Sequence, residues 1–343
     1  MNDISIRKEG YAGRITLQRP DALNAMTYEM CTAINSALLN WKDDKDIKLV
    51  AIDALGDRAF CAGGDIADLY DSGKRGNYIY GQTFWAQEYR MNAMIANYPK
   101  PYLALMQGFT MGGGVGISCH GSHRIVGESS KIAMPECGIG LVPDVGGSDI
   151  LARAPGHLGE YLGLTGHRMN AGDAIYIGFA DNFIPENIWP ELIEKLQETV
   201  DISIIEKYYS APPEGTLDFM KDTISEIFNT PDLAEIVKRL TNRLDEFSVR
   251  SIEAIFKHSP LSMACCLSIL DQLRNEKSGL HEALKLEYRF TARSMEHGDF
   301  IEGIRARLID KDRTPNWKYG VTSVPKKAVS LMLNPLGNLE LSF

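Results

Sequence analysis

The sequence predicts an α/β fold over residues 1–200, followed by a mainly helical region over residues 201–343. In the first part, short apolar runs alternate with glycine turns and with segments of helical periodicity. In the second part, the apolar residues recur at helical spacing, and no convincing strand lies between them. Strands and helices that alternate at this spacing favour parallel strands joined by crossover connections.

The predicted elements of the first part begin with a hairpin and a capped helix. Thr27 is placed to accept a hydrogen bond at the start of an amphipathic helix that ends near Trp41. Buried strands then alternate with a helix that starts in a run of glycines. The predicted strands are residues 4–7, 13–17, 49–53, 102–106, 123–126 and 131–134, and the predicted helices are 27–41, 66–70 and 112–119.

The change to helical periodicity begins beyond Phe183, shortly before the predicted boundary at residue 200. The segment Pro212-Pro213-Glu214-Gly215 is the clearest interruption. The tail after Lys326 is weakly patterned, and the sequence predicts no element there. The helices predicted from apolar periodicity are residues 188–199, 233–241, 249–257, 261–275 and 280–296.

The composition restricts the classes of protein to which this chain can belong. Of its 343 residues, 44% are hydrophobic and 24% are charged, which is ordinary for a folded soluble protein. A formal net charge of −9 provides no general attraction to nucleic acid or to anionic membranes, and no apolar run is long enough to span a bilayer. We therefore expect a small-molecule ligand, with neither nucleic acid nor a membrane as a partner.

The six cysteines form neither a C-x-x-C pair nor the spacing of a disulfide-rich module. We expect free, mostly buried thiols in a reducing compartment. The first residues have neither the apolar core of a signal peptide nor the composition of a transit peptide. Together these features predict a cytoplasmic protein. The segment Cys119-His120-Gly121-Ser122-His123 has no second cluster of ligands, so we expect no metal.

Two glycine turns are the most informative motifs of the chain. Gly112-Gly113-Gly114 lies at a predicted junction between a strand and a helix, and Gly63-Gly64 lies in a second turn. Backbone N–H groups in the first turn of a helix have no partner within it, so they can stabilise an oxyanion. Tight packing of a helix on a sheet also demands glycine, and for the triplet alone this alternative stays open.

Two carboxylates follow the ends of predicted strands. Glu136 follows a proline at a strand end, where a solvated surface group is the ordinary alternative. Asp144 is followed by glycines and could be only the N-cap of a helix, just as Asp65 could be only a helix cap. Backbone donors and carboxylates together, at strand ends where ligands usually bind, indicate an acyl-transfer site.

These residues also carry a resemblance to a known family. Residues 59–65, 108–116 and 133–165 resemble the crotonase (enoyl-CoA hydratase/isomerase) superfamily. The resemblance spans most of the chain, from about Ile4 to Trp317. The segments that are similar to the 3-hydroxyisobutyryl-CoA hydrolase branch are Ala133-Met134-Pro135-Glu136, Gly140-Leu141, Pro143-Asp144-Val145-Gly146-Gly147 and Leu308-Ile309-Asp310-Lys311-Asp312, with Pro315 and Trp317.

The resemblance implies a crotonase-like spiral of ββα units with helices packed at its C-terminal end. It also implies hydrolysis of a β-hydroxyacyl-CoA thioester, 3-hydroxyisobutyryl-CoA, in valine degradation. Coenzyme A is then part of the substrate, and no separate cofactor is expected. Members of the superfamily commonly form trimers or pairs of trimers, so a homo-oligomer is possible, although the helical region could instead cover the site or form a dimer.

The resemblance assigns roles to the residues of the two motifs. Gly64 and Gly113 match the family's oxyanion-hole pair. Glu136 matches its principal carboxylate, which would act as a general base on water or attack the thioester directly; the sequence leaves both routes open. Asp144 matches the second carboxylate of the hydrolase branch, which would orient the water or the 3-hydroxyl of the substrate and help to protonate the departing thiolate.

Further contacts with the substrate follow from the same resemblance. Ala62, Asp65 and Ile66 would lie near the adenine of coenzyme A. Glu88 matches a glutamate that contacts the substrate. For Glu88 the ordinary alternative is a solvated helix face.

One departure from the family separates its activities. The hydratases of this superfamily carry a second glutamate shortly after the glycine triplet, where this chain has Gly116. Concerted addition of water by two glutamates is therefore not expected. The alternatives are enoyl-CoA isomerase or hydratase activity, or hydrolysis of a different acyl-CoA. A catalytically silent CoA-binding or RNA-associated protein is a further alternative, against which the retained Glu136 and the acidic charge argue.

Overall fold

The computed structural model describes residues 3–199 and 201–343, which form two compact units. The first, called here the α/β unit, comprises the chain up to Asp65, then Arg90–Ala133 and Arg168–Asp218. The second, called here the helical unit, comprises Ile66–Tyr89, Met134–His167 and Phe219–Phe343. These units do not follow the boundary at residue 200 that the sequence predicts, because the helical unit includes two earlier segments of the chain.

The strands of the described residues all belong to the α/β unit. They are β1 Ile4–Glu9, β2 Ala12–Leu17, β3 Leu49–Ala54, β4 Ala59–Cys61, β5 Tyr102–Met106, β6 Phe109–Met111, β7 His123–Val126, β8 Lys131–Ala133 and β9 Asn182–Phe183. A six-stranded sheet has the order β1-β2-β3-β5-β7-β9, and a three-stranded sheet has the order β4-β6-β8. Among the paired strands of the described residues, β1 and β2 are antiparallel and the other pairs are parallel, so the predicted hairpin and the predicted parallel strands are both confirmed.

Helices account for the rest of the regular structure. They are α1 Tyr28–Lys42, α2 Ala67–Lys74, α3 Tyr78–Ala96, α4 Gly113–Ser118, α5 Gly147–Arg153, α6 Leu158–Thr165, α7 Ala171–Ile177, α8 Trp189–Glu198, α9 Leu217–Phe228, α10 Leu233–Thr241, α11 Glu246–Ile255, α12 Pro260–Glu276, α13 Leu280–Ser294, α14 Phe300–Ile304 and α15 Lys326–Leu333. Within the described residues no strand follows β9, which confirms the helical C-terminal part. None of the described helices has the length and apolarity needed to cross a membrane.

Local sequence explains where the first elements begin and turn. Gly10 has a φ of +56° in the turn between β1 and β2, and the register of the hairpin runs from Ile4 opposite Leu17 to Glu9 opposite Ala12. The Thr27 side chain accepts a hydrogen bond from the backbone N–H of Met30 at 3.2 Å, and α1 starts at the next residue. The predicted N-cap is therefore confirmed.

The core of the α/β unit lies between the six-stranded sheet and α8. Leu103 and Leu105 of β5 belong to the same buried cluster as Leu192 and Leu196 of α8. Trp189, at the start of α8, belongs to this cluster and donates a hydrogen bond from its indole nitrogen to the carbonyl of Ile184 at 2.9 Å. A buried tryptophan needs an acceptor for its indole N–H, and the carbonyl of Ile184 provides one.

The helical unit is built around α12, which packs against α5, α6, α13 and α15. Ser259 caps α12 by accepting a hydrogen bond from the backbone N–H of Ser262 at 3.2 Å, while its hydroxyl donates to Asp299 at 2.6 Å. The six cysteines of the chain are all buried thiols that form no disulfide among the described residues, including the neighbours Cys265 and Cys266 on α12.

The C-terminal segment that resembles the hydrolase branch is organised by one arginine. Arg305 begins a π-helical turn that ends at Ile309, and its guanidinium binds Glu302, Asp310 and Asp312 at distances of 2.7–2.9 Å. The same guanidinium also donates to the carbonyl of Thr314 at 3.2 Å. The two aspartates of the motif therefore hold a turn of the chain in place.

Candidate active site

The glycine turns of the α/β unit follow two neighbouring strands. Gly64 follows β4 and Gly113 opens α4 after β6, and β4 pairs with β6 in parallel, with Cys61 opposite Thr110. Both turns therefore lie at the carboxyl edge of the three-stranded sheet. Among the described residues, neither the Gly64 N–H nor the Gly113 N–H donates to a protein acceptor. Two free backbone donors at one sheet edge are suited to a polarised oxygen.

The other glycines of the triplet are needed for packing and for backbone conformation. Gly112 has a φ of +48°, which residues with a side chain rarely adopt. A Cβ atom on Gly114 would lie 2.3 Å from the carbonyl oxygen of Cys61. At Gly64, by contrast, a Cβ would meet nothing within 4 Å. The packing alternative thus holds for Gly114, and backbone conformation accounts for Gly112. Neither explains Gly64.

The predicted carboxylates come together inside the helical unit. Glu88 lies on α3, Glu136 opens a 3₁₀ turn that ends at Ile139, and Asp144 lies just before α5. These three side chains are 3–5% exposed. The solvated-surface alternatives for Glu88 and Glu136 are therefore wrong. Carboxylates are rarely buried without a function or a partner, so this cluster is a candidate for proton chemistry.

Asp144 is held by a tyrosine and is not a helix cap. The hydroxyl of Tyr89 donates to Asp144 Oδ2 at 2.7 Å. The N-cap position of α5 is Gly146, with a φ of +83° and no side-chain cap, so the N-cap alternative for Asp144 is wrong. Burial raises the pKa of Asp144 to about 7, and the hydrogen bond from Tyr89 opposes that rise.

One carboxylate oxygen of Glu136 is unsatisfied. Its Oε2 atom is buried and makes no hydrogen bond to any of the described residues. Burial, and then the charge of Asp144, raise the pKa of Glu136 well above its usual range. An unpaired buried carboxylate oxygen is costly to retain, and such a group is well suited to accept a proton or to attack an electrophile.

Glu287 is a fourth carboxylate of this buried cluster, and its place in the cluster could not be read from a motif. Glu287 on α13 is 0% exposed, accepts hydrogen bonds from the backbone N–H groups of Gly146 at 2.8 Å and Ser148 at 3.1 Å, and binds the Ser148 hydroxyl. It thereby caps the start of α5. Burial raises the pKa of Glu287 to about 8, and the charge of Asp144 adds to this rise. The available signal was the position of Glu287 on an apolar helix face, because Ala283, Leu284 and Phe290 flank it at helical spacing and are buried.

The remaining predicted contacts lie at the turn after β4. Asp65 forms an ion pair with Arg19 at 3.0 Å, and the Ala62 N–H donates to the carbonyl of Leu23 at 3.0 Å. Ile66 is the first residue of the helical unit and precedes α2. The structure thus brings Glu88, Glu136 and Asp144 together in the helical unit, while the glycine donors, Ala62 and Asp65 belong to the α/β unit.

Comparison with known proteins identifies relatives over nearly the whole chain. A 3-hydroxyisobutyryl-CoA hydrolase, mitochondrial, of Gallus gallus is 37% identical, with 99% of this chain and 90% of that protein covered. The crystal structure of an enoyl-CoA hydratase from Rhodobacter sphaeroides 2.4.1 is 52% identical, with a TM-score of 0.95 and coverage of 99% of this chain and 100% of that chain. A carnitinyl-CoA dehydratase from Mycobacterium thermoresistibile is 34% identical, with a TM-score of 0.94 and coverage of 100% and 99%.

One prediction made from the sequence is overturned by these relatives. The cytoplasmic location is contradicted by hydrolases named as mitochondrial proteins at 36–38% identity, including those of Gallus gallus and Homo sapiens. The prediction was wrong because free thiols indicate a reducing environment and do not distinguish one such compartment from another.

The family itself is shown by a match that covers most of the chain. The family model described as enoyl-CoA hydratase/isomerase matches residues 12–333, a range that contains all the candidate site residues of both units. The resemblance inferred from the glycine turns and the Pro-Glu and Pro-Asp segments is thereby confirmed. This chain belongs to the enoyl-CoA hydratase/isomerase family.

Proposed function

We propose that this protein hydrolyses 3-hydroxyisobutyryl-CoA to 3-hydroxyisobutyrate and coenzyme A. The observation that carries the proposal is the pair of buried carboxylates, Glu136 and Asp144, in a family member whose relatives include hydrolases named for this substrate. An acyl-CoA is the substrate class that the family name gives. Coenzyme A enters as part of the substrate, so the proposed reaction needs only water as a second reactant.

In the proposed reaction, the N–H groups of Gly64 and Gly113 bind the thioester oxygen. Attack on the carbonyl carbon converts that oxygen to an oxyanion, and one preorganised donor is typically worth about 3 kcal/mol at this step. The donors are backbone groups, which keep the same charge at every pH. The tetrahedral intermediate then collapses, the C–S bond breaks and the thiolate of coenzyme A departs.

Glu136 is the proposed base or nucleophile. As a base, ionised Glu136 takes a proton from the attacking water and then returns it to the departing thiolate, so that the products are the acid and the free thiol. As a nucleophile, it forms a mixed anhydride that water subsequently hydrolyses. The buried Oε2 atom supports either route, because no group of the described residues forms a hydrogen bond with it.

Asp144 is proposed to act as an ionised carboxylate that orients the water or the 3-hydroxyl of the substrate. The hydrogen bond that it accepts from Tyr89 supports this role, because an O–H donor favours the charged form. Glu88 is proposed to contact the substrate, and Ala62, Asp65 and Ile66 are proposed to contact the adenine end of coenzyme A.

Thiol release tests the proposal. The protein is incubated with 3-hydroxyisobutyryl-CoA, crotonyl-CoA and acetyl-CoA in turn, and free thiol is followed with a chromogenic disulfide reagent. We expect rapid release from 3-hydroxyisobutyryl-CoA alone. Release from none of the three compounds would contradict hydrolysis of this substrate.

Hydration of an enoyl-CoA is the second candidate, because a solved relative at 52% identity is named an enoyl-CoA hydratase. The sequence of α4 argues against it: Gly116, Ile117 and Ser118 follow the glycine triplet, and none carries a carboxylate. Loss of crotonyl-CoA absorbance, together with no thiol release from any of the three compounds, would establish hydration and would exclude the hydrolytic proposal.

A further inference from the structure

Tyr89 is the side chain that donates to Asp144. The phenol oxygen lies 2.7 Å from Asp144 Oδ2 and 3.5 Å from the Thr291 hydroxyl, and Tyr89 is 0% exposed. Its ring packs edge-on against the ring of Tyr288, with centroids 6.3 Å apart and planes at 81°. The hydroxyl is therefore fixed from both sides and cannot be replaced by a water molecule from bulk solvent without a rearrangement of the core.

The other titratable groups around Asp144 are acids. Glu88 on α3, Glu136 in the 3₁₀ turn and Glu287 on α13 all interact with it electrostatically. Within the described residues, no lysine, arginine or histidine forms an ion pair with Asp144. When Asp144 is ionised, the acidic side chains on these three elements oppose its negative charge. The O–H dipole of Tyr89 favours that charge.

We propose that Tyr89 is a positioning residue that keeps Asp144 ionised and in one rotamer, and so sets the lowest pH at which the enzyme works. This inference rests on the proposed function of Asp144. The phenol O–H of Tyr89 stabilises every state of the Asp144–Glu136 pair in which Asp144 is charged. This holds whichever of the two carboxyl groups loses its proton first. Removal of that donor therefore shifts full ionisation of the pair to higher pH.

The test is the pH profile of kcat/KM for Tyr89→Phe. Hydrogen bonds to charged groups are the stronger class, so we expect the acidic limb of the profile to move up by about one pH unit or more. Above the limb, the variant recovers most of the wild-type rate. A loss of rate by the same factor at every pH, or an unmoved limb, would overturn the inference, because a purely structural role predicts that result.

The matched control is Tyr102→Phe. Tyr102 is also 0% exposed, and its hydroxyl donates to a backbone carbonyl, that of Ile117, at 2.9 Å. Its removal deletes an equally buried phenol donor without touching a carboxylate, so its acidic limb stays in place. A shift of equal size in this control would also overturn the inference.

Two further measurements separate this inference from the proposed function. Asp144 can be titrated directly by NMR of aspartate carboxyl carbons, with Asp144→Asn used to assign its signal, and this readout needs no activity. An upward shift of that titration in Tyr89→Phe supports the inference even if thiol release fails. If Tyr89→Phe does not fold, a fluorinated tyrosine at position 89, which is a stronger donor of the same shape, should move the titration downward; an unchanged titration would contradict the inference.

Discussion

Replacement of Glu287 by glutamine gives the sharpest prediction about stability. Glu287 is fully buried, and burial raises its pKa from 4.5 to about 8. A group with a raised folded-state pKa contributes stability that is fully present below pH 4.5 and is lost as the pH rises through about 8. At about 1.36 kcal/mol per unit of pKa, the loss amounts to about 5 kcal/mol.

The variant Glu287→Gln cannot ionise, so it does not suffer this loss. In the wild type, the N–H groups of Gly146 and Ser148 donate hydrogen bonds to Glu287. In the variant, the side-chain NH₂ group cannot accept from one of them, and this lowers the free energy of unfolding by about 1–3 kcal/mol. The variant should therefore be less stable than the wild type at pH 5 and more stable at pH 9. The two curves cross between these values.

Urea unfolding at pH 5, 7 and 9, followed by circular dichroism, measures this crossing. Glu246→Gln is the control, because the side chain of Glu246 is 76% exposed and pairs with Arg250 on the surface. The free energy of unfolding of this control should differ from that of the wild type by no more than about 0.5 kcal/mol at every pH. A difference for Glu287→Gln that is independent of pH would refute the reasoning, since it would mean that Glu287 has the same charge in the folded and unfolded states.

The remaining predictions concern the two carboxylates and the glycine turns. Glu136→Gln should lower kcat at least about a hundredfold with the unfolding midpoint preserved, and turnover near the wild-type value would remove Glu136 from the mechanism. Asp144→Asn should also lower kcat; a change in KM alone would make Asp144 a binding group. Gly114→Ala should cost about 1–3 kcal/mol in a urea titration, because its Cβ would lie 2.3 Å from the Cys61 carbonyl. Gly64→Ala has open space for the Cβ and should keep its stability while losing kcat/KM; full activity would argue against a thioester oxygen at this position.

The elements that the sequence predicted well are those with strong local signals. The helix capped by Thr27 and the apolar run that forms β5 were both found, because capping residues and burial on both faces of a strand leave a clear pattern over a few residues. Helices α6, α7, α9, α14 and α15 were not predicted. Four of them have eight residues or fewer, and α15 lies in the weakly patterned tail. Helix α9 has 12 residues and was missed although it is longer than the predicted α10.

The candidate site was predictable only in part, for a related reason. Glu136 and Asp144 stand in short motifs, so the sequence could single them out. The contacts that tune them join residues far apart in the chain: Tyr89 is 55 residues from Asp144, and Glu287 is 141 residues from Gly146. Helical periodicity places such residues on a buried face but does not say which partner they meet there.

The division of the chain into interleaved segments has a consequence for synthesis and truncation. The path passes between the two units five times, at residues 65–66, 89–90, 133–134, 167–168 and 218–219. A ribosome that has released the first 218 residues has supplied every segment of the α/β unit, but the helical unit still lacks its longest one. A premature stop codon shortly after that point would leave Glu136 and Asp144 in the product without the residue that caps α5. No single cut yields either unit alone. When a deletion variant of this protein loses activity, loss of folding is therefore the first explanation to test, before loss of a catalytic group.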